Sequence, residues 1–517
     1  MKKMLAAFLS MAMLVSMLAG CGAASSDAQD TQDSTAQSTA GTGDVPVLKV
    51  TFPTLYNVPS TERQQEVSGV INDYLDENGY AFHVSLEIVG PGDYATQSAM
   101  ALAAGEEIDV FMPFDGTSNP VPNMVSNGYL LEMDEYLDEE LKDTIAIPEL
   151  QNLLPFGRSG GKTYAIPAAK GFTLAYCFLY NKDIAEELGI DMSQVDSLED
   201  LGDIFEQVKA GRPDVTPVGT VGSTTVGLEI GMKTDRYYQV MDVTSGVALL
   251  GDSTTAENYY ASEAFEAAVN LAYEWAQAGY TNPDNSSNSE VNAIEENMFY
   301  NGQIFSIFGL YSTTPENIEK TMTASYGRTI GCIPLGSTCN VSMVPGWSIA
   351  YTTQHPSESA QFLNLMFTDE FVLNTMFYGI EGKDYVWETD EMVAYPDGVN
   401  MTTMEYGLGT NNGMYGNQFI TWPHKDGVQP DDLDYMKELM VNAVFSPAYD
   451  FVFDNSNVTT NLTAISNTIA QYRDALCYGD VDPAEYLPQF LSALEAAKID
   501  DVIAEAQTQL DAFMAEK

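Results

Sequence analysis

The chain has 517 residues and is strongly acidic, with 74 Asp and Glu against 21 Lys and Arg, a net charge of −53 and 45% hydrophobic residues. Such a charge repels nucleic acid and anionic lipid surfaces, so neither is an expected partner. The length and the ordinary apolar content predict two or three compact domains with sizeable cores.

The N-terminus carries the features of an export signal. Residues 2 and 3 are lysines, residues 5–18 form a short apolar stretch, and Leu18-Ala19-Gly20-Cys21 closes it with small residues. We therefore predict a signal peptide over residues 1–20, not a membrane span. The closing tetrapeptide resembles the bacterial lipobox, which implies a lipid on Cys21. An ordinary signal peptide followed by an incidental cysteine is the alternative.

Residues 21–44 are almost all small or polar, and they include no large apolar side chain. A segment of this composition cannot bury enough apolar surface to offset the entropy lost on ordering. We predict a disordered tether that holds the folded part clear of the membrane.

The folded part opens with alternating elements. Strands are predicted at 47–52, 82–88 and 108–112, with a helix from a capping box at Thr61 up to Gly79 and another over 93–104. The order β-α-β-α-β predicts an α/β domain with a mostly parallel sheet.

A second lobe is expected to begin after Pro167. It starts with a strand at 173–180 and continues through further helices and strands, at 198–210, 264–278, 304–310 and 329–334. A strand at 344–351 and a helix at 357–367 predict a return to the first lobe. The expected first lobe is therefore 45–168 plus about 343–377, and the second is about 169–342 plus 378–517.

Several short motifs resemble the family 1 extracellular solute-binding proteins of ABC importers. In chain order they are Ala103-Ala104-Gly105 before Ile108-Asp109-Val110, Gly161-Lys162 before Tyr164-Ala165-Ile166-Pro167, Tyr180-Asn181-Lys182-Asp183, and Gly346-Trp347-Ser348-Ile349. Two later stretches, 378–385 and 465–473, resemble the C-terminal domain of a Firmicutes lipoprotein subgroup (LipO-like, DUF3502-type).

The resemblance implies an α/β, two-lobed periplasmic-binding-protein-like fold (type II), with a ligand cleft between the lobes and hinge closure. It also implies partners outside this chain, an ABC permease and its ATPase. Closure would follow because a ligand that touches both lobes favours the closed state.

Catalytic and metal motifs are weak. Gly157-Arg158-Ser159-Gly160-Gly161 matches a nucleophile elbow in letters, but a strand and not a helix is predicted after it. The three histidines are far apart, and abundant carboxylates make a chance pair expected. We predict no catalytic residues, no cofactor and no metal, apart from a weak calcium-loop candidate formed by four side chains, Asp284, Ser286, Asn288 and Glu295.

The spacing of the cysteines predicts neither a disulfide scaffold nor a zinc site. After Cys21 there are four cysteines, none in a C-x-x-C pair. Cys332 and Cys339 could bridge a short loop, and isolated buried thiols are the alternative.

Open α/β sheets place ligands beyond the carboxyl ends of their strands. This rule selects Tyr56 after the first strand, and Phe114 and Asp115 after the third. Lys170 and Phe172 fall where the chain crosses between lobes. Three further candidates are Tyr311, Trp347 and Glu381, because the first follows an apolar strand, the second begins a strand near a crossing, and the third lies in the 378–385 motif.

The expected function is capture of an extracellular solute by a monomeric, lipid-anchored receptor on the outer face of a Gram-positive cell membrane. The abundance of aromatic residues and the family resemblance favour an oligosaccharide as the ligand. A peptide or amino-acid receptor, with Lys170 or Arg236 binding a carboxylate, is the alternative. A surface glycoside hydrolase and a purely adhesive lipoprotein are lesser alternatives.

Overall fold

The computed structural model describes residues 45–114, 120–219, 237–239, 245–250, 253–283, 285–287, 290–339, 346–409, 413–443, 448, 451 and 453–516. Val45–Lys517 forms one compact unit. The predicted signal peptide, the tether and Cys21 lie outside the described residues. No helix in the described ranges combines the length and apolar character needed to cross a membrane.

The first part of the chain alternates strands and helices as predicted. Its elements are β1 (Val47–Pro53), α1 (Thr61–Glu77), β2 (His83–Val89), α2 (Pro91–Ala104), β3 (Val110–Phe111), α3 (Val121–Ser126), α4 (Lys142–Ile145), β4 (Arg158–Ser159), β5 (Lys162–Thr163) and β6 (Ile166–Pro167).

The middle part contains the longest strands. Its elements are β7 (Thr173–Asn181), α5 (Lys182–Leu188), α6 (Leu201–Gly211), β8 (Thr216–Val218), β9 (Tyr237–Gln239), β10 (Val247–Leu250), β11 (Ala256–Asn258), α7 (Glu263–Ala278), α8 (Val291–Tyr300), β12 (Ile304–Tyr311), α9 (Pro315–Tyr326) and β13 (Ile330–Cys339).

The last part is mainly helical. Its elements are β14 (Gly346–Ile349), α10 (Pro356–Thr368), α11 (Glu370–Tyr378), β15 (Val386–Thr389), β16 (Met392–Ala394), α12 (Pro430–Val441), α13 (Thr459–Cys477), α14 (Pro483–Ala496) and α15 (Ile499–Glu516).

Helix α1 illustrates how local sequence sets these boundaries. Val67, Ile71 and Leu75 recur at helical spacing and are all buried against the first sheet. The cap is Ser60 and not the predicted Thr61, because the Ser60 side chain accepts the N–H of Arg63. The register of the buried face is unaffected by this shift of one residue.

Two sheets organise the body. The first has the order β2-β1-β3-β14-β6, with β1 parallel to β2 and β3, while β14 is antiparallel to β3 and β6. The second has the order β13-β7-β12-β8 and is largely antiparallel. The predicted return of the chain to the first sheet at β14 is confirmed.

The hydrophobic cores correct the boundary predicted at residue 378. Side chains from 378–440, among them Tyr378, Tyr406, Tyr415 and Met436, pack into the core of the first sheet. We therefore call the β1-containing body with 346–440 the first lobe. The β7-containing body is the second lobe, and α13–α15 pack with α7, β10 and β11 around a separate core.

The possible bridge between Cys332 and Cys339 is excluded by the strand that contains both. Residues seven apart in β13 lie roughly 23 Å apart at about 3.3 Å per residue, whereas a disulfide needs Cα atoms within about 7 Å. Cys332 is a free, buried thiol.

Candidate functional site

The central segment, residues 407–418, connects two of the predicted ligand residues. Residues 410–412 of it lie outside the described part. The Tyr415 hydroxyl donates to the Pro53 carbonyl at 2.9 Å, which joins the segment to the carboxyl end of β1. The Ala169 N–H donates to the Gly416 carbonyl at 3.0 Å, and the Gln418 N–H donates to the Ala169 carbonyl at 2.8 Å. The segment is therefore fixed between β1 and the β6–β7 crossing.

Gly416 is required for this path. Its backbone φ of 135° is rarely adopted by residues that carry a side chain. A Cβ at this position would also lie 2.3 Å from the Met366 carbonyl oxygen. The segment can therefore approach α10 this closely only because residue 416 has no side chain.

Tyr56 lies at one end of the central segment. Its ring is partly exposed and rests on the backbone of Gly409, where an added Cβ would meet the ring at 2.4 Å. The Tyr56 N–H donates to the Thr54 Oγ1 at 3.1 Å, which shapes the turn after β1. The ring thus presents a partly open aromatic surface beyond the carboxyl end of β1.

Lys170 lies further along the segment, against Gly413. Its ammonium is 5.4 Å from the centroid of the Phe172 ring. Burial lowers the pKa of the Lys170 ammonium. Among the residues that the structure describes, no ion pair includes Lys170, which is unusual in so acidic a chain. A half-buried cation without a carboxylate can donate to a bound molecule.

Phe172 is a support for Lys170 and offers little surface itself. Its side chain is buried in the first core, and its N–H donates to the Sδ of Met440 at 3.1 Å. The neighbouring Gly171 N–H donates to the Gln418 Oε1 at 3.0 Å, so the crossing is held to the central segment beside Lys170.

Trp347 does not face a ligand in this structure. Its side chain is 0% exposed and packs 5.4 Å from the Phe52 ring. Its Nε1–H donates to the Met414 carbonyl at 3.3 Å, so the indole supports the central segment from below. The predicted stacking role is corrected to a structural one.

The remaining aromatic and acidic candidates are not joined to the central segment by described contacts. Phe114 is partly exposed just beyond β3, and Asp115 lies outside the described residues. Tyr311 ends β12 in the second lobe and packs in a satellite core that also contains Cys177 and Cys332. Tyr311 could reach a ligand only from the opposite lobe.

Glu381 belongs to a turn whose importance is structural. The Glu381 side chain is exposed, whereas the nearby Asp384 is buried. Both carboxylate oxygens of Asp384 accept from the Arg63 guanidinium at 2.5 Å, and Oδ2 also accepts the Ile380 N–H at 2.8 Å. The 378–385 motif therefore fixes this turn to α1.

The two described calcium-loop candidates form hydrogen bonds with other side chains. The Ser286 hydroxyl and N–H both donate to Asp480, and the buried Glu295 accepts from Asn282 at 2.8 Å. Asp284 and Asn288 lie outside the described residues. Within the described ranges, no group of three metal-ligating acidic, histidine or cysteine side chains occurs.

Sequence reasoning missed Tyr395, which interacts electrostatically with Tyr56, and its neighbour His424. The two rings are 4.5 Å apart, and burial together with Tyr56 and Asp426 raises the pKa of Tyr395 to about 12. The His424 Nδ1 accepts the Asp426 N–H at 3.0 Å, which leaves Nε2 as the protonated nitrogen. Within the described residues, the buried Nε2 and the Tyr395 hydroxyl have no hydrogen-bond partner.

Neither residue lies at a predicted strand end, so the strand-end rule could not select them. Composition marks the central segment but not these two rings. The run Gly407-Leu408-Gly409-Thr410-Asn411-Asn412-Gly413 is rich in glycine and amides, which is typical of loops that approach ligands.

A two-lobed α/β body with an aromatic and cationic surface at the lobe crossing is the architecture of a solute receptor. The family described as "Bacterial extracellular solute-binding protein" matches residues 60–372, more than half of the chain. The chain belongs to the bacterial extracellular solute-binding protein family. Residues 447–515 match a second family, "Domain of unknown function (DUF3502)".

A curated relative from Streptococcus pneumoniae serotype 4, "Carbohydrate ABC transporter substrate-binding protein", is 25% identical over 528 residues. The alignment covers 100% of this chain and 99% of the relative.

Solved structures share the fold. NgtS, the N-glycan transport solute binding protein of Streptococcus pneumoniae, is 22% identical with a TM-score of 0.62, covering 91% of this chain and 99% of its own. Its complex with Man1GlcNAc has a TM-score of 0.50 at 22% identity, with coverage of 91% and 100%. An HMO binding solute binding protein from Bifidobacterium longum infantis is 13% identical, with a TM-score of 0.59 and coverage of 91% and 99%.

Proposed function

We propose that this chain captures an oligosaccharide outside the cell and delivers it to the permease of an ABC importer. The observation that carries the proposal is the joining of Tyr56 and Lys170 by one segment at the lobe crossing of a solute-binding fold. The full-length similarity to a carbohydrate ABC transporter substrate-binding protein supports the choice of ligand class.

The chemistry of the surface suits a sugar. A sugar ring presents apolar C–H faces to an aromatic ring and hydroxyls to hydrogen-bonding groups. Tyr56 supplies a partly open ring, and Lys170 supplies up to three N–H donors without a competing carboxylate among the described residues. The solved relatives NgtS and the HMO binding protein carry glycan ligands in their names, which agrees with this class.

The finer features follow from the same proposal. Cys21 would carry the lipid that holds a monomer on the outer face of a Gram-positive membrane, and 22–44 would serve as its tether. A ligand that contacts Tyr56 and Lys170 in the first lobe and Tyr311 in the second would favour hinge closure. The permease would recognise the closed form, and its ATPase would supply the energy for transport.

We expect binding without turnover, since the candidate site combines an aromatic ring, an ammonium and amides. Capture of a peptide or amino acid is the second candidate, because the half-buried Lys170, which forms no ion pair with any residue that the structure describes, also fits a carboxylate. Arg236, the other predicted anchor, lies outside the described residues.

A thermal-shift screen of Val45–Lys517 against Man1GlcNAc, other neutral oligosaccharides and peptides separates these candidates. A ligand at 100 times its Kd adds about 2.7 kcal/mol to the folded state, which is a clear shift. We expect stabilisation by oligosaccharides, with each sugar recovered intact after incubation. Stabilisation by peptides alone would move the function to peptide capture, and cleaved sugar would indicate an enzyme.

A further inference from the structure

A second aromatic surface lies on the first lobe and is formed by residues outside the central segment. Trp387, on the β15–β16 hairpin, is 39% exposed, and its ring centroid is 4.9 Å from that of the partly buried Trp422. The two planes meet at 54°. We call this pair the Trp platform. An indole left open to water loses the stability that its burial would give, so its exposure calls for an explanation.

The Trp platform is held rigidly from beneath. Tyr385 packs edge-on against Trp387, and Tyr378 is stacked parallel to Trp422. The Tyr378 hydroxyl donates to the Trp422 carbonyl at 2.6 Å. The Val393 N–H donates to the Pro423 carbonyl at 2.9 Å, which joins the hairpin to the strand-like segment that bears Trp422. Rigid rings lose little entropy when a ligand binds.

Polar groups border the rings. The Lys425 ammonium donates to the Glu388 carboxylate at 2.6 Å, and both side chains are exposed. Asp390 and Glu391 on the hairpin turn are also exposed. A flat apolar face beside exposed carboxylate and ammonium groups matches the two sides of a sugar ring.

The size and charge of the surface argue against other occupants. A stable protein interface buries about 800 Å² on each partner, far more than one partly exposed indole and its neighbour provide. The border carries three exposed acids, Glu388, Asp390 and Glu391, against one cation, Lys425, so an anionic lipid surface would be repelled. A neutral, hydroxyl-rich ligand is not repelled by the acids, and a single sugar ring needs no larger area.

A continuous series of rings connects the platform to the first site. Tyr395 is near enough to Tyr56 for the two hydroxyls to interact electrostatically. The Tyr395 ring contacts that of His424, His424 is stacked on Tyr378, and Tyr378 is stacked on Trp422. Both surfaces are therefore parts of one rigid lobe, and an extended ligand can meet them at a fixed spacing.

We propose that the Trp platform is an outer carbohydrate subsite that binds a distal sugar unit of an oligosaccharide held at Tyr56 and Lys170. This inference rests on the proposed function and deepens it, because it assigns the protein to extended oligosaccharides over mono- and disaccharides. The platform adds affinity only for ligands long enough to reach it.

Calorimetry with Val45–Lys517 tests the subsite, using neutral mannose and N-acetylglucosamine oligosaccharides from disaccharide to pentasaccharide. Trp387→Ala should weaken pentasaccharide binding about tenfold and leave disaccharide binding unchanged. Trp387→Phe should restore most of the affinity, because it keeps an aromatic face. Tyr486→Ala is the matched control, since Tyr486 is 38% exposed on a different part of the surface.

Acrylamide quenching gives an independent readout. Trp275 and Trp347 are buried, so quenchable emission comes from Trp387 and Trp422. The pentasaccharide should protect this emission, and the disaccharide should not. Equal binding of the pentasaccharide by wild type and Trp387→Ala would overturn the subsite while the proposed function stands. Failure of the wild type to bind any sugar would remove the proposed function and the subsite together.

Discussion

Lys170 and Tyr56 were selected from the sequence as ligand-binding residues, and that role stays a prediction. The strand-end rule and the lobe crossing selected both, because backbone topology alone sets their positions. Trp347 had equally suggestive surroundings, yet its exposure depends on the central segment, which covers the indole through the 3.3 Å hydrogen bond to Met414. Because the covering segment is distant in sequence, the residues around Trp347 give no sign that the indole is buried.

At the residue scale, Lys170→Met should weaken oligosaccharide binding by about tenfold or more while stability is unchanged or higher. A hydrogen bond to a charged group contributes about 1.5–3 kcal/mol to binding, whereas removal of a desolvated ammonium relieves a cost in the folded state. Calorimetry and thermal melting measure the two effects separately. Lys437→Met, at a partly exposed helix position, is the control, and unchanged affinity in Lys170→Met would contradict this role.

His424 should make stability depend on pH. Burial lowers the pKa of its imidazole, with Asp426 opposing the shift, so the unfolded chain takes up a proton where the folded chain does not. The contribution of His424 to the free energy of unfolding is fully present above pH 6.5. It is lost as the pH falls from 6.5 towards the lower pKa that His424 has in the folded chain. Urea midpoints between pH 7.5 and 5.5 should fall less in His424→Gln than in the wild type. An equal fall of the urea midpoint in His424→Gln and the wild type would contradict this role of His424. His355→Gln is the control.

At the scale of elements, helices were more predictable than the site. The periodicity of α1 and α7 and the glycine stop of α2 gave bounds within a few residues, because these signals are local. The central segment has no periodicity. Its position is fixed by contacts such as the one from Tyr415 to Pro53, 362 residues away. The boundary at 378 was wrong for the same reason, since the 378–440 segment packs back onto the first core.

The central segment should control affinity through its anchor at Tyr415. Tyr415→Phe removes the hydroxyl that donates to Pro53 and should cost about 1 kcal/mol of stability and several-fold in ligand affinity. Tyr406→Phe is a matched control, because the equally buried Tyr406 hydroxyl donates to Met376 at 2.8 Å elsewhere in the same core. We expect similar losses of stability from the two variants in urea denaturation. A similar loss of affinity in both would show that the anchor has no specific role.

The turn that contains Glu381 should contribute to stability and not to binding. Asp384→Asn removes the buried carboxylate from the Arg63 guanidinium, which then keeps only the partly exposed Glu66, and should destabilise the fold by about 3 kcal/mol. Lys383→Met, which removes only an exposed pair with Glu66, should change little. Denaturant midpoints provide the comparison. A midpoint for Asp384→Asn close to that of Lys383→Met would mean that the buried pair does not fix the turn.

At the scale of the whole molecule, two lobes meet at a crossing where the first lobe supplies Tyr56 and Lys170 and the second can supply Tyr311. The acidic surface keeps anionic macromolecules away, while Lys170, without an ion pair in the part of the chain that the structure describes, forms a local exception to it. The DUF3502 region packs around its own core with α7, so it extends the second half of the body without entering the crossing.

Calorimetric titration of Val45–Lys517 and its Tyr56→Ala variant with one neutral oligosaccharide tests this account most directly. We predict binding to one site per wild-type chain and an affinity at least about tenfold weaker in Tyr56→Ala, because stacking on the ring is lost. Equal affinity in the two proteins, or binding of a peptide in place of any oligosaccharide, would contradict the account.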